Sequence, residues 1–152
     1  IMKKIIIVLM FLLYGCGYSS VYKNQKNNDI LITIVDMKGD NILNNSLKNQ
    51  LTMASNKNSI NIFNISLITD YKKIIISKNT AGLVTDYKLQ TTVNFNVTKN
   101  GINKKITLSE SLDIKNEGEN FEQIKYENSI KINFAISIQE KLIPYLLRFD
   151  DS

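Results

Sequence analysis

The sequence predicts an α+β domain, a two-layer sandwich in the order β-α-β-β-β-α. A mainly antiparallel four-stranded sheet is covered on one face by two helices. Three observations predict it. Leu83, Thr85, Tyr87, Leu89, Thr91, Val93, Phe95 and Val97 line one side of a strand and Asp86, Lys88, Gln90, Thr92, Asn94 and Asn96 the other, which is the period of a strand with one buried face. Asn100-Gly101 follows, the dipeptide that most strongly marks a two-residue hairpin turn. Two stretches with apolar residues at helical spacing, Asp40 to Ala54 and Asn120 to Arg148, flank the strand-rich middle.

In chain order, the first element is the run Asp29 to Asp36 (DILITIVD). Its β-branched residues predict a strand buried on both faces. Asp40 then caps a helix by offering its carboxylate to an early amide. Ile42, Leu43, Leu47, Leu51 and Ala54 share one face of that helix, and the Asn and Ser residues from Ser55 to Ser59 end it. Asn61 to Thr69 alternates as a strand, with an interruption expected near Asp70 before Ile74, Ile75 and Ile76 continue it. The turn at residues 100 and 101 fixes the register of the last hairpin. Positions equidistant from it face each other, so Phe95 meets Ile106, Val93 meets Leu108, Leu89 meets Leu112 and Tyr87 meets Ile114. Thr91 opposite Glu110 is the exception. A slip of one residue would bury Lys105, Thr107, Ser109 and Asp113 instead. The last segment alternates like a strand from Ile130 to Ile138, but Ile130, Phe134, Ile138, Leu142 and Tyr145 also form a helical stripe. Length and the need to cover the sheet favour a helix, capped by Asn120 and kinked or ended near Pro144.

The N-terminal residues carry a different signal. Lys3 and Lys4 precede an apolar run from Ile5 to Leu13, and Tyr14-Gly15-Cys16 follows. A basic head, a short apolar run and a small residue before a cut define a secretory signal, and the run is shorter than the roughly 20 residues that span a bilayer. Residues 1–15 are therefore expected to be removed as a lipoprotein signal peptide. Cys16 is the expected lipidation site, 16–28 the tether, and 29–149 a single domain. Cys16 is the only cysteine of the 152 residues, so no disulfide forms within the chain, and acylation disposes of a thiol that would be a liability in an oxidising compartment. Gly17 follows it, not the Asp that marks inner-membrane retention, which points to the periplasmic side of the outer membrane.

Composition excludes most chemistry. There is no His, and with Cys16 acylated no thiol remains, so Ser-His-Asp, Cys-His and imidazole-metal sites are ruled out. Glu117 with Glu119, Glu110 with Asp113, and Asp150 with Asp151 are paired acids in settings that read as solvated turns, strand face and tail. No Gly-rich phosphate loop occurs. The chain is expected to be a binding or assembly component and not an enzyme, with no metal and no cofactor beyond the covalent lipid on Cys16. The formal charge of +5 loses Lys3 and Lys4 with the signal, leaving 5 − 2 = +3. Arg148 is the single arginine and no basic–aromatic interleaving appears, so no nucleic-acid partner is expected. Lysines concentrate at the hairpin tip, where Lys99, Lys104 and Lys105 flank the turn, and at Lys72-Lys73.

Three stretches carry a resemblance. Cys16-Gly17-Tyr18-Ser19-Ser20-Val21-Tyr22 is similar to the mature start of the lipopolysaccharide-assembly lipoprotein LptE family in its alphaproteobacterial form, with Ser20 and Val21 in place of Pro and Leu. Ala81 to Gly101 resembles the central strand of that family, and Tyr126 to Leu147 its last helix, with Ile and Asn where the family has small residues. The resemblance implies an outer-membrane lipoprotein that plugs an LptD-like β-barrel and binds lipopolysaccharide. With that implication, Lys99, Lys104 and Lys105 become the first candidates for contact with lipid A phosphates, and Lys72 and Lys73 the second. Two other readings stay open: a small lipoprotein supporting another envelope complex, and a carrier holding lipid between sheet and helices.

Overall fold

The structure, a computed structural model, is described for residues 29–118 and 121–149. The signal, Cys16, the tether and Asn120 lie outside the described residues. The order is β1 (Leu31–Gly39), α1 (Asn41–Ala54), β2 (Ile62–Lys78), β3 (Val84–Lys99), β4 (Ile102–Lys115) and α2 (Phe121–Leu147). The sheet is four-stranded with strands adjacent in sequence order; β1 and β2 run parallel, and the other pairs are antiparallel. A parallel neighbour needs a crossover, and α1 supplies it. Both helices lie on one face. Leu47 and Leu51 of α1 and Ala135, Ile138 and Leu142 of α2 join Phe63, Ile65, Leu67, Val93, Phe95 and Val97 of the sheet in one core.

The β3–β4 register is the one the turn predicts, including Phe95 with Ile106 and Thr91 with Glu110. Asn100 and Gly101 have φ of 50° and 83°, the paired positive values of a type I′ turn. α1 begins as expected: the Asp40 carboxylate accepts from the amides of Ile42 and Leu43, each at 3.0 Å. The last segment is a helix, and it ends three residues past Pro144.

Two expectations need correction. β1 is not buried on both faces: it is an edge strand, and Val35 is 67% exposed. A β-branched run reports a strand, whereas two-sided burial needs a neighbour on each side and a layer on each face. The interruption near Asp70 is also absent, since β2 continues through it. Asp70 sits on the open face, where its carboxylate meets Lys72 Nζ at 2.9 Å, and a charge there does not oppose the strand.

Candidate functional site

Because both helices pack on one face, no described residue covers the other face of the sheet, and it carries the polar side of the β3 alternation together with exposed Ile62, Ile68 and Ile74 of β2. Asn94, Asn96, Thr107 and Ser109 lie on it; the Thr107 hydroxyl donates to Asn94 Oδ1 at 2.8 Å, and the Thr92 and Ser109 hydroxyls are 3.0 Å apart. A depression of about 460 Å³ indents this face, lined by Asp36, Lys38, Ser66, Asn94, Asn96 and Lys105 among others. Asn96 Oδ1 is buried and has no hydrogen-bond partner among the described residues. An amide oxygen in that state favours an incoming donor.

The lysines do not gather as the sequence suggests. Lys99 continues the inward series of β3; it is 8% exposed, with Nζ 5.1 Å from the centre of the Phe63 ring. Lys104, opposite Val97, also faces inward; its Nζ donates to the Phe149 carbonyl at 2.5 Å and lies 4.5 Å from the Phe149 ring centre. Lys105, opposite Asn96, points to the open face. Strand alternation thus splits three lysines that are close in sequence between two faces, and the expected crowding at one solvated end is corrected. The same rule separates Lys72, on the open face beside Asp70, from Lys73, which lies under α2 with Nζ 2.7 Å from Glu127 and 4.3 Å from the Tyr87 ring centre.

Sequence reasoning missed two polar clusters between the layers. In the first, Lys131 of α2 places Nζ 2.6 Å from Asp40 and 4.0 Å from the Tyr71 ring centre. Burial and the nearby Glu127 and Asp40 charges push the Tyr71 hydroxyl far above its usual value. Burial works to raise the Asp40 carboxyl too, but Lys131 and the capping amides outweigh it and hold it below its usual range. The second cluster resolves the Thr91–Glu110 exception. Thr91 is fully buried and donates to the Asp70 carbonyl at 3.0 Å. Glu110 receives Ser137 Oγ and Lys141 Nζ from α2, each at 2.5 Å. Burial raises the Glu110 carboxyl, and these two donors reverse the effect, leaving it below the ordinary range. The Glu110 partners lie 27 and 31 positions away, and no local pattern announces them.

Both carboxyls are depressed in the folded state, so the unfolded chain binds more protons as pH falls. Their stabilisation is present above the unfolded values of about 4 and is lost as pH drops through the folded values. Urea midpoints are expected to hold steady near neutrality and to fall below about pH 5. Glu110→Gln is expected to lower stability at pH 7 by about 1–3 kcal/mol and to flatten part of the acid slope. A variant with an unchanged acid slope would remove Glu110 from this account.

Among the described residues no group of His, Cys, Asp and Glu is placed to hold a metal, and no helix is long and apolar enough to cross a membrane. No protein-family model and no curated protein sequence matches the chain. Solved structures do. Rare lipoprotein B from Shewanella oneidensis superposes with a TM-score of 0.58 at 16% identity, over 77% of this chain and 98% of that one. A minor lipoprotein from Acinetobacter baumannii gives 0.55 at 13% identity, over 81% and 95%. A putative lipoprotein from Caulobacter crescentus gives 0.50 at 12%, over 81% and 90%. The likeness is one of fold. It covers nearly the whole length of each of these small lipoproteins, and it agrees with the LptE-type resemblance at the level of architecture.

Proposed function

We propose that this chain is a non-catalytic lipoprotein, anchored through acylated Cys16 on the periplasmic side of the outer membrane. There it plugs an LptD-like barrel and assists lipopolysaccharide assembly. The observation that carries the reading is the shared fold of small lipoproteins, behind a sequence that places Gly15-Cys16 after a basic head and an apolar run. The open sheet face supports it. The interior of an outer-membrane barrel is polar and the largest barrels have a plugged lumen, and the Asn, Ser, Thr and charged residues on the β3–β4 part of this face suit contacts that are hydrogen-bonded and wet. The carrier reading finds no such support. The space between sheet and helices is filled, with Leu47, Leu51, Ile65, Val93, Ala135 and Ile138 all fully buried.

Affinity purification of the chain from detergent-extracted membranes, read by mass spectrometry, tests the proposal. A plug is expected to leave with a barrel protein in one-to-one proportion; recovery with lipid alone would overturn it. Cys16→Ala is expected to abolish acylation and to leave the chain unprocessed, with residues 1–15 attached, or unanchored. A wild-type chain that carries no lipid at Cys16 by mass spectrometry, or a Cys16→Ala chain cut before residue 16 like the wild type, would end the lipoprotein reading.

A further inference from the structure

The two edges of the sheet differ. β1 is nine residues long and breaks register between Ile34 and Asp36, with Asp36 and Lys38 paired at 3.5 Å just past the break. Shortness and a bulge are devices that blunt an edge. β4 is 14 residues long, holds one register with β3 from end to end and contains no proline. Its two-residue turn closes on Lys99 and Ile102 as a hydrogen-bonded pair. The even-numbered residues of β4 therefore bond to β3. The odd-numbered ones, from Asn103 to Lys115, direct N–H and C=O to the open edge. Ser109 is the midpoint of that open run.

We propose that the β4 edge is a self-docking surface. A second copy of the chain adds its own β4 antiparallel to the first, about a two-fold axis at Ser109, and joins the two sheets into one. Charge and register carry the inference. Pairing centred on Ser109 is the arrangement that uses the whole open run. On the open face it sets Lys105 opposite the partner's Asp113, and by symmetry the same pair forms again. On the helix face it sets Ile106 opposite the partner's Leu112, a side chain that is 43% exposed in the single copy, and Leu108 opposite the partner's Glu110, whose carboxylate is already held by Ser137 and Lys141 of its own copy. Opposite charges and apolar pairs directly across strands are stabilising, and like charges are not. Side chains keep their faces only in steps of two residues. One such step sets Lys105 opposite the partner's Lys115 and Glu110 opposite the partner's Glu110. The step the other way leaves Lys105 opposite the partner's Ser111 and Asp113 opposite the partner's Asn103. Of these three registers only the one centred on Ser109 gives both charges an opposite charge across the new edge, where Asp113, 4.0 Å from Lys88 within its own copy, gains a second cation. The edge is self-complementary, as a two-fold interface must be.

The inference concerns the chain outside any complex, and its test is independent of the barrel experiment. The full chain is purified in detergent and its self-association measured by light scattering over a concentration series. Lys105→Glu places like charges at both Asp113 contacts and is expected to weaken association by about tenfold or more. Lys105→Glu combined with Asp113→Lys recreates the pair with its sign reversed and is expected to restore it. Ser109→Cys is expected to cross-link between copies with a short bis-maleimide. The same substitution at exposed Asn45 of α1 is expected not to, with Cys16 present in both chains. A chain that stays monomeric throughout the series overturns the proposal. So does a dimer indifferent to Lys105→Glu and to the position of the cysteine, which is what two acylated chains sharing a micelle would give.

Discussion

Phe95→Ala is expected to destabilise the domain by about 3–5 kcal/mol, the range for emptying a fully buried aromatic site. Phe95 is 1% exposed and sits mid-strand on β3, between Leu67 of β2 and Ile106 of β4. Its inner side belongs to the core that α1 and α2 close over. The layers are held apart by neighbouring side chains, so the site cannot collapse freely, and both the transfer loss and the cavity count in full. Thermal unfolding should shift down by roughly ten degrees or more. Urea titration of wild type and variant measures the difference. A loss below about 1 kcal/mol would mean that residue 95 is not enclosed, and the register and the core would fall together.

Gly39→Ala is expected to be comparably severe, for a reason that lies in the backbone. β1 must turn into α1 beside β2, and Gly39 makes the turn with φ of +106°. A Cβ there would stand 1.8 Å from the Thr69 carbonyl oxygen and 2.8 Å from its carbonyl carbon. Neither is a flexible side-chain end, so the strands must part. The same corner is fixed by Thr69, buried at 3% exposure. Its Oγ1 accepts from the Asp40 amide at 2.9 Å and donates to Asn44 Oδ1 at 2.9 Å. Displacing it would disturb the cap of α1 as well. A cost of at least about 3 kcal/mol is expected, from strain and overpacking together. Gly82→Ala is the control. Gly82 also has positive φ, +80°, but a Cβ there meets nothing within 4 Å, so only the backbone penalty of about 1–2 kcal/mol applies. Equal losses for the two variants would show that Gly39 is not pressed against Thr69.

The sequence by itself determined the elements and the last hairpin. Asn100-Gly101 dictates a type I′ turn through the φ values its residues tolerate, and that turn sets every pair from Lys99–Ile102 to Asp86–Lys115. Asp40 determined the start of α1 because capping acts within three residues. Period and length sufficed for α2, where Ile130, Phe134, Ile138 and Leu142 of the stripe became buried, Tyr145 past Pro144 stayed exposed, and the strand-like alternation was incidental. These forces act between near neighbours in the chain, so they are written locally. The tertiary structure decided what depends on neighbours brought from afar. It made β1 a parallel edge strand, because α1 carries the chain back to the same end of the sheet before β2. It separated Lys99 and Lys104 from Lys105, and Lys72 from Lys73, because a sheet covered on one side gives adjacent residues opposite fates. It also made Glu110 a satisfied inward carboxylate: α2 crosses β4 where Ser137 and Lys141 can reach it, and burying an acid is tolerable only when such partners arrive.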